Sequence, residues 1–149
     1  MKKGRHIIFS PINGSEVRLL KNRDETNILI VDDEPEVANF LAAALESEGN
    51  VQTADNGKKA LEKVRQQHFD IIVADINMPV MNGIEFYKLA EAQYPDIWQR
   101  FIFFTGLGEN AIISFFERKR LAYLIKPVTV DDVIMKIRSV MQRQQENSR

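Results

Sequence analysis

The sequence contains no cysteine, and this absence excludes several classes of site. A disulfide scaffold, a zinc site built on thiolates and a catalytic cysteine all need that residue. No apolar run approaches the ~20 residues of a membrane-spanning helix, and the apolar stretch near the N-terminus is too short for a signal peptide. The formal net charge of −1 gives no overall attraction to nucleic acid or to an anionic membrane. These absences predict a soluble cytoplasmic protein that binds neither nucleic acid nor membrane directly.

Short apolar runs alternate with helical patterns from Asn27 onward, and 44% of the 149 residues are hydrophobic. The clearest helical pattern follows Pro35, a residue that suits the first turn of a helix. Strands and helices in strict alternation favour parallel pairing through right-handed crossovers. The sequence therefore predicts an α/β protein with a doubly wound five-stranded parallel sheet and helices on both faces. Its predicted strands are 28–31, 51–54, 71–74, 101–104 and 121–125.

Residues 1–26 lie outside this alternation and are interpreted as an N-terminal extension or linker. Within them, 7–10 and 17–20 have the pattern of two strands around an Asn13-Gly14 turn, the signature of a short hairpin. The alternating unit is expected to occupy 27–143. The polar residues 144–149 are expected to form a frayed C-terminal tail.

Polar side chains follow four of the predicted strands. Asp32 and Asp33 follow the first strand, Asp75 the third, Thr105 the fourth and Lys126 the fifth. Ligands of such sheets bind beyond the carboxyl ends of the strands, so these side chains are expected to converge at one edge. Crowded carboxylates stay ionised only when a cation joins them. Oxygen donors without histidine or cysteine favour Mg²⁺.

A carboxylate beside Mg²⁺ can attack phosphorus, because the metal offsets the charge of the transferring group. A lysine and a hydroxyl at the same edge would add a positive charge and a hydrogen-bond donor. Each residue alone has an ordinary explanation as a turn residue, a helix cap or a solvated side chain. Their joint arrival at one edge is what favours phosphoryl transfer to a carboxylate.

Four segments around these residues resemble the response-regulator receiver family of two-component signalling. They are the acidic segment 28–35, the loop 75–83, the Phe104-Thr105-Gly106 segment and the segment 123–127. The resemblance covers about residues 27–141 and implies a flavodoxin-like (βα)₅ fold.

The resemblance implies an acceptor and a metal site. Asp75 would be the phosphoacceptor, and Asp33 would bind Mg²⁺ directly with Asp32 nearby. The backbone carbonyl of Asn77 would be a further metal ligand.

The resemblance also implies a switch. Lys126 would pair with the acceptor carboxylate or the phosphoryl group, and Pro127 would follow a cis peptide bond. Thr105 would move to bind the phosphoryl group, and the Tyr123 ring would enter the space that Thr105 leaves.

The implied function is a receiver that takes a phosphoryl group from a sensor histidine kinase or a histidine phosphotransfer protein and then controls a protein partner. Such a chain is no enzyme beyond its own phosphorylation and dephosphorylation, and a second copy of itself is a candidate partner. One alternative is the receiver module of a hybrid histidine kinase. Another is a Mg²⁺-dependent phosphatase with an aspartate nucleophile. Those phosphatases separate their two aspartates by one residue, whereas Asp32 and Asp33 are adjacent.

Some residues depart from the family pattern or leave alternatives open. The segment 117–122 contains no glycine where the family usually has one, which predicts a short or irregular end for the preceding helix. Phe115 and Phe116 are adjacent, so one is expected in the core and the other half-covered, with a docking patch as the alternative. Trp98 is interpreted as a packing residue in a loop.

Overall fold

The computed structural model of the chain describes residues 8–12, 16–20, 25–106 and 108–148, with side chains described from residue 25 onward. Near the N-terminus, β1 (Ile8–Ile12) pairs antiparallel with β2 (Glu16–Leu20) as a separate two-stranded sheet. The predicted Asn13-Gly14 turn lies outside the described residues. The remaining elements are β3 (Asn27–Val31), α1 (Pro35–Leu45), β4 (Asn50–Ala54), α2 (Gly57–Gln66), β5 (Ile71–Asp75), α3 (Gly83–Gln93), a 3₁₀ helix (Pro95–Arg100), β6 (Phe101–Thr105), α4 (Asn110–Lys119), β7 (Ala122–Ile125) and α5 (Val130–Asn147).

The main sheet has five parallel strands in the order β4-β3-β5-β6-β7. The doubly wound fold predicted from the sequence is confirmed. The chain moves from β3 outward to β4 and then returns to place β5 on the other side of β3. The strand order therefore reverses between β3 and β5, which is where sheets of this kind bind their ligands.

The core has two layers because the central strands are buried on both faces. Apolar runs without polar alternation are typical of such strands. One face packs against α2, α3 and α4, and the other packs against α1 and α5. The first face carries Leu29, Val31, Ile72, Ala74, Phe101 and Phe103, and the second carries Ile28, Ile30, Ile71, Val73, Ile102 and Phe104.

The two adjacent phenylalanines of α4 have different environments. Phe116 is fully buried, and its ring stacks on Phe103 with centroids 4.8 Å apart. Phe115 is half-buried, and the Lys88 ammonium lies 5.7 Å from the centroid of its ring. The prediction of one core residue and one half-covered residue is confirmed.

Helix α4 ends without a glycine. Arg120 adopts the left-handed conformation with φ 59°, and its N–H donates to carbonyls of the last helical turn. Leu121 N–H closes the turn on the Phe116 carbonyl at 2.8 Å. Arg120 thus takes the left-handed position that a glycine usually occupies at a helix end. This conformation costs an arginine about 1 kcal/mol of backbone energy.

Two sequence-based expectations are wrong. Trp98 lies in the 3₁₀ helix rather than in a loop, half-buried, with the Arg143 guanidinium 5.6 Å from its ring centroid. The predicted tail is helical, because α5 continues to Asn147. Gln144 holds this last part of the helix by donating to the carbonyls of Asp70 at 2.8 Å and Gln99 at 3.1 Å. In the described ranges, no helix combines the length and apolar character that crossing a membrane requires.

Candidate functional site

Three carboxylates meet where the strand order reverses. Asp32 directly follows β3, Asp75 ends β5, and the two strands are hydrogen-bonded neighbours. One oxygen from each of Asp32, Asp33 and Asp75 lies within 4.8 Å of the other two. Asp32 and Asp75 are only 5% and 6% exposed, whereas Asp33 is half-buried. The predicted convergence of these residues is what the structure shows.

The backbone fixes Asp32 on both sides. Its N–H donates to the Ala54 carbonyl at 3.1 Å, and its Oδ1 accepts from the Glu34 N–H at 2.9 Å. Burial raises the pKa of Asp32 above its usual range, and the charges of Asp75 and Asp33 add to this rise. The Glu34 N–H and the Lys126 charge oppose it without cancelling it. The cluster is therefore short of positive charge, and oxygen donors in this arrangement suit Mg²⁺.

Lys126 supplies the positive charge of the site. Its Nζ lies 2.9 Å from Oδ1 of Asp75, and the side chain is 46% exposed. Burial alone would lower the pKa of Lys126, but the hydrogen bond and charge of Asp75, with the charges of Asp32 and Glu34, raise it overall. The Lys126-Pro127 peptide bond is cis, as the family resemblance implies.

Both hydrogen bonds to the Asp75 carboxylate end on the same oxygen. The Ile76 N–H donates to Oδ1 at 2.9 Å, the atom that also accepts from Lys126. Among the residues that the structure describes, none donates a hydrogen bond to Oδ2. One carboxylate oxygen is thus held in place while the other is available for chemistry.

The two ends of the loop that follows Asp75 are hydrogen-bonded to each other. The Gly83 N–H donates to the Ile76 carbonyl at 2.9 Å, and a Cβ at Gly83 would lie 2.2 Å from the Asp75 carbonyl oxygen. Only glycine permits so close an approach of two backbones. Asn77 lies in this loop with an exposed side chain.

The same loop contains a strained turn. The Met81 N–H donates to the Pro79 carbonyl at 2.8 Å, which closes a γ-turn around Val80. Val80 has a φ of 71° and is 76% exposed. A positive φ is unusual for a β-branched residue and costs conformational energy.

Thr105 is bonded to a residue that the sequence patterns do not single out. Its buried hydroxyl donates to Oε2 of Glu109 at 2.5 Å, and the Gly106 N–H donates to the same oxygen at 3.4 Å. An acidic residue four positions after the threonine, at the start of a helix, is the only sequence signal for this contact. That signal is weak, because acidic residues at helix starts are common.

Comparison with known proteins identifies the family. The model of the response regulator receiver domain matches residues 28–138. The chain belongs to this family. The transcriptional regulatory protein ResD of Bacillus subtilis is 31% identical over 128 residues, which cover 84% of this chain and 52% of ResD. The CAI-1 autoinducer sensor kinase/phosphatase CqsS of Vibrio cholerae is 29% identical over 131 residues, which cover 85% of this chain and 19% of CqsS.

A solved structure gives the same result. The CheY-like response regulator receiver domain of Methanospirillum hungatei has 28% sequence identity and a TM-score of 0.73, covering 83% of this chain and 98% of its own. The receiver described here spans about half the length of curated relatives such as ResD. The shared part is thus the receiver domain of two-component response regulators.

In this receiver, Tyr123 lies apart from the acidic cluster. Its ring packs on Phe116 with centroids 5.4 Å apart, and its hydroxyl donates to Oε1 of Glu117 at 3.1 Å. This hydrogen bond is the main reason why the pKa of Tyr123 is raised. Tyr123 on β7 pairs with Phe103 on β6, and Phe103 lies two residues before Thr105. The two residues predicted as a switch pair therefore lie on neighbouring strands, with their hydroxyls bonded to different glutamates.

Proposed function

We propose that Asp75 accepts a phosphoryl group from a phosphohistidine of a sensor histidine kinase or a histidine phosphotransfer protein. The observation that carries this proposal is the Asp75 carboxylate itself, which lies beside Asp32 and Asp33 and 2.9 Å from the Lys126 ammonium. A nucleophilic carboxylate needs neighbouring positive charge, because the attack brings two anionic groups together. Membership of the receiver family supports the same conclusion.

The transfer would use the oxygen that carries no hydrogen bond from the described residues. Oδ2 of Asp75 attacks phosphorus while the P–N bond of the phosphohistidine breaks, and the leaving imidazole nitrogen keeps the electron pair. Lys126 holds Oδ1 and so orients the carboxylate during the attack. After transfer, the Thr105 hydroxyl would donate to a phosphoryl oxygen, and the Lys126 ammonium would pair with the phosphoryl charge.

Mg²⁺ fits the donor set of the site. Asp32, Asp33 and Asp75 would bind it together with the backbone carbonyl of Asn77, and all of these donors are oxygen atoms. When bound, the metal would offset the negative charge on the transferring phosphoryl group.

The phosphorylated receiver would act as a two-state switch that controls a downstream protein. Thr105 and Tyr123 would change position together, and the phosphoryl group would shift a balance that already exists between two conformations. The receiver would catalyse only its own phosphorylation and dephosphorylation. The receiver unit would occupy residues 27–143 and work in the cytoplasm, with residues 1–26 as an extension and a second copy of the chain as a candidate partner.

Intact-mass measurement after incubation with Mg²⁺ and acetyl phosphate tests the acceptor. Wild type is expected to gain one phosphoryl mass, Asp75→Asn none, and the exposed control Asp55→Asn the same gain as wild type. Omission of Mg²⁺ should abolish the gain. A gain that persists in Asp75→Asn would place the acceptor elsewhere, and no gain in wild type would refute the proposed function.

A further inference from the structure

The Glu109 side chain accepts hydrogen bonds from two donors at the end of β6, the Thr105 hydroxyl and the Gly106 N–H. One oxygen of its carboxylate, Oε2, accepts from the Thr105 hydroxyl at 2.5 Å and from the Gly106 N–H at 3.4 Å. Thr105 is 1% exposed, so its hydroxyl has little access to water as an alternative partner. Under the proposed function, the Thr105 hydroxyl would donate to the phosphoryl group. In this structure it donates to the Glu109 carboxylate instead.

We propose that Glu109 is an intramolecular competitor of the phosphoryl group for Thr105 and Gly106, and that phosphorylation of Asp75 displaces it. This inference rests on the proposed function. A carboxylate and a phosphoryl group are both oxyanions, so they take the same donors. The Thr105 hydroxyl has one proton and can donate to only one of them. Like charge drives the two oxyanions further apart once the phosphoryl group is in place.

The displaced residue also forms the start of α4. Glu109 is the N-cap residue of this helix, and its carbonyl accepts from the N–H groups of Ile112 at 3.1 Å and Ile113 at 3.0 Å. Its side chain and its backbone are therefore engaged at the same time, one with the end of β6 and one with the helix. Departure of the side chain from Thr105 changes the constraint on the first turn of α4. Glu109 is thus a positioning residue that links the acceptor edge to a helix on the surface.

Beryllofluoride, a non-covalent substitute for the phosphoryl group, provides the test on the full chain with Mg²⁺. The concentration for half-saturation is followed by the amide NMR signals of the protein. Removing the competitor in Glu109→Ala should tighten binding about tenfold, which is the lower end of what one hydrogen bond to a charged group contributes. Glu109→Gln keeps a neutral acceptor and should give a smaller gain. Glu62→Gln removes an exposed glutamate charge on α2 and should bind as wild type does.

The Thr105→Ala background separates donor competition from simple charge repulsion. In that background the Glu109→Ala gain should shrink to about threefold or less, because the shared hydroxyl is gone. In wild type, beryllofluoride should also shift the amide signals of Ile112 and Ile113. A gain that is undiminished without the hydroxyl, or amide signals that stay unchanged, would overturn the proposal.

Two failures can be told apart. Wild type that binds beryllofluoride with Glu109→Ala binding equally or more weakly refutes the role of Glu109 alone. Wild type that binds none, like Asp75→Asn, refutes the proposed function and this inference with it. Urea unfolding of each variant shows whether a weaker response comes from loss of the fold.

Discussion

The N–H of Lys126 donates a 2.7 Å hydrogen bond to the carbonyl of Thr105. Thr105 ends β6 and Lys126 directly follows the neighbouring strand β7. Their side chains hold different carboxylates, Glu109 for Thr105 and Asp75 for Lys126. This hydrogen bond fixes the two backbones relative to each other. The ammonium and the hydroxyl that would serve one phosphoryl group are therefore positioned as a unit.

Replacing Lys126 separates its chemical role from its structural one. In Lys126→Met, phosphorylation by acetyl phosphate should slow about 100-fold, the usual cost of losing a group that stabilises developing charge. The free energy of unfolding should fall by only about 1 kcal/mol, because the side chain is 46% exposed. Mg²⁺ should bind more tightly, since the acidic cluster loses a competing cation. Lys58→Met, an exposed charge control, should match wild type in all three measurements. An unchanged phosphorylation rate in Lys126→Met would contradict the role given to this residue.

The close approach at Gly83 predicts a large difference between two glycine substitutions. Gly83→Ala places a Cβ 2.2 Å from the Asp75 carbonyl oxygen, and the free energy of unfolding should fall by about 2 kcal/mol. In Gly106→Ala the new Cβ meets only the Glu109 side chain, at 3.7 Å, so stability should hardly change. Urea unfolding of both variants makes the comparison. Equal stability of the two would show that the loop can shift away from Asp75 at little cost.

The γ-turn at Val80 is a site where a substitution should stabilise the protein. Asparagine tolerates positive φ better than a β-branched residue, and the exposed Val80 side chain contributes little burial. Val80→Asn should therefore raise the free energy of unfolding by about 0.5–1 kcal/mol. The same exchange at Val37, which is exposed but helical, should give no gain. If urea unfolding shows no difference between the two variants, the turn is not strained.

The raised pKa of Tyr87 predicts how the free energy of unfolding changes with pH in the alkaline range. It is fully buried, and burial together with the hydrogen bond and charge of Glu91 raises its pKa above the ordinary value of 10.0. Above that pH the unfolded chain loses the phenolic proton while the folded protein keeps it. Stability should then fall by up to about 1.4 kcal/mol per pH unit.

Urea unfolding at pH 8 and at pH 11 measures this effect. The loss between the two pH values should be smaller in Tyr87→Phe than in wild type. Tyr94→Phe removes a half-buried phenol instead and should keep the loss of wild type. Identical losses in the two variants would assign the alkaline effect to other groups.

The convergence of the polar side chains at one edge of the sheet could be predicted because it depends on regular structure. Continuous apolar runs define the central strands. Parallel pairing of these strands brings Asp32, Asp75 and Lys126 together independently of the loop conformations. Glu109 could not be found in the same way, because its contact with Thr105 depends on the path of the loop before α4. Non-periodic contacts of this kind leave no trace in hydropathy.

At Gln144 and at Arg120 the structure departs from what the residue types predict, and the cause is similar. Gln144 is polar, so the sequence predicts fraying, yet it orders the last turns of α5 by bonding backbone carbonyls. Arg120 ends α4 in a conformation that sequence rules reserve for glycine. In both places one specific hydrogen-bonding arrangement outweighs the average preference of the residue type.

The loop that begins at Asp75 is tied to the fold before any phosphoryl donor arrives. Gly83 closes it on Ile76, and the Met81 carbonyl accepts from the Gly57 N–H at 3.1 Å, which anchors it to the start of α2. The conformational entropy of this loop is therefore lost when the chain folds, and not when a donor binds. Under the proposed function, a phosphoryl donor would therefore meet an acceptor loop that is already ordered. Discrimination between donors would then fall to surfaces outside this loop.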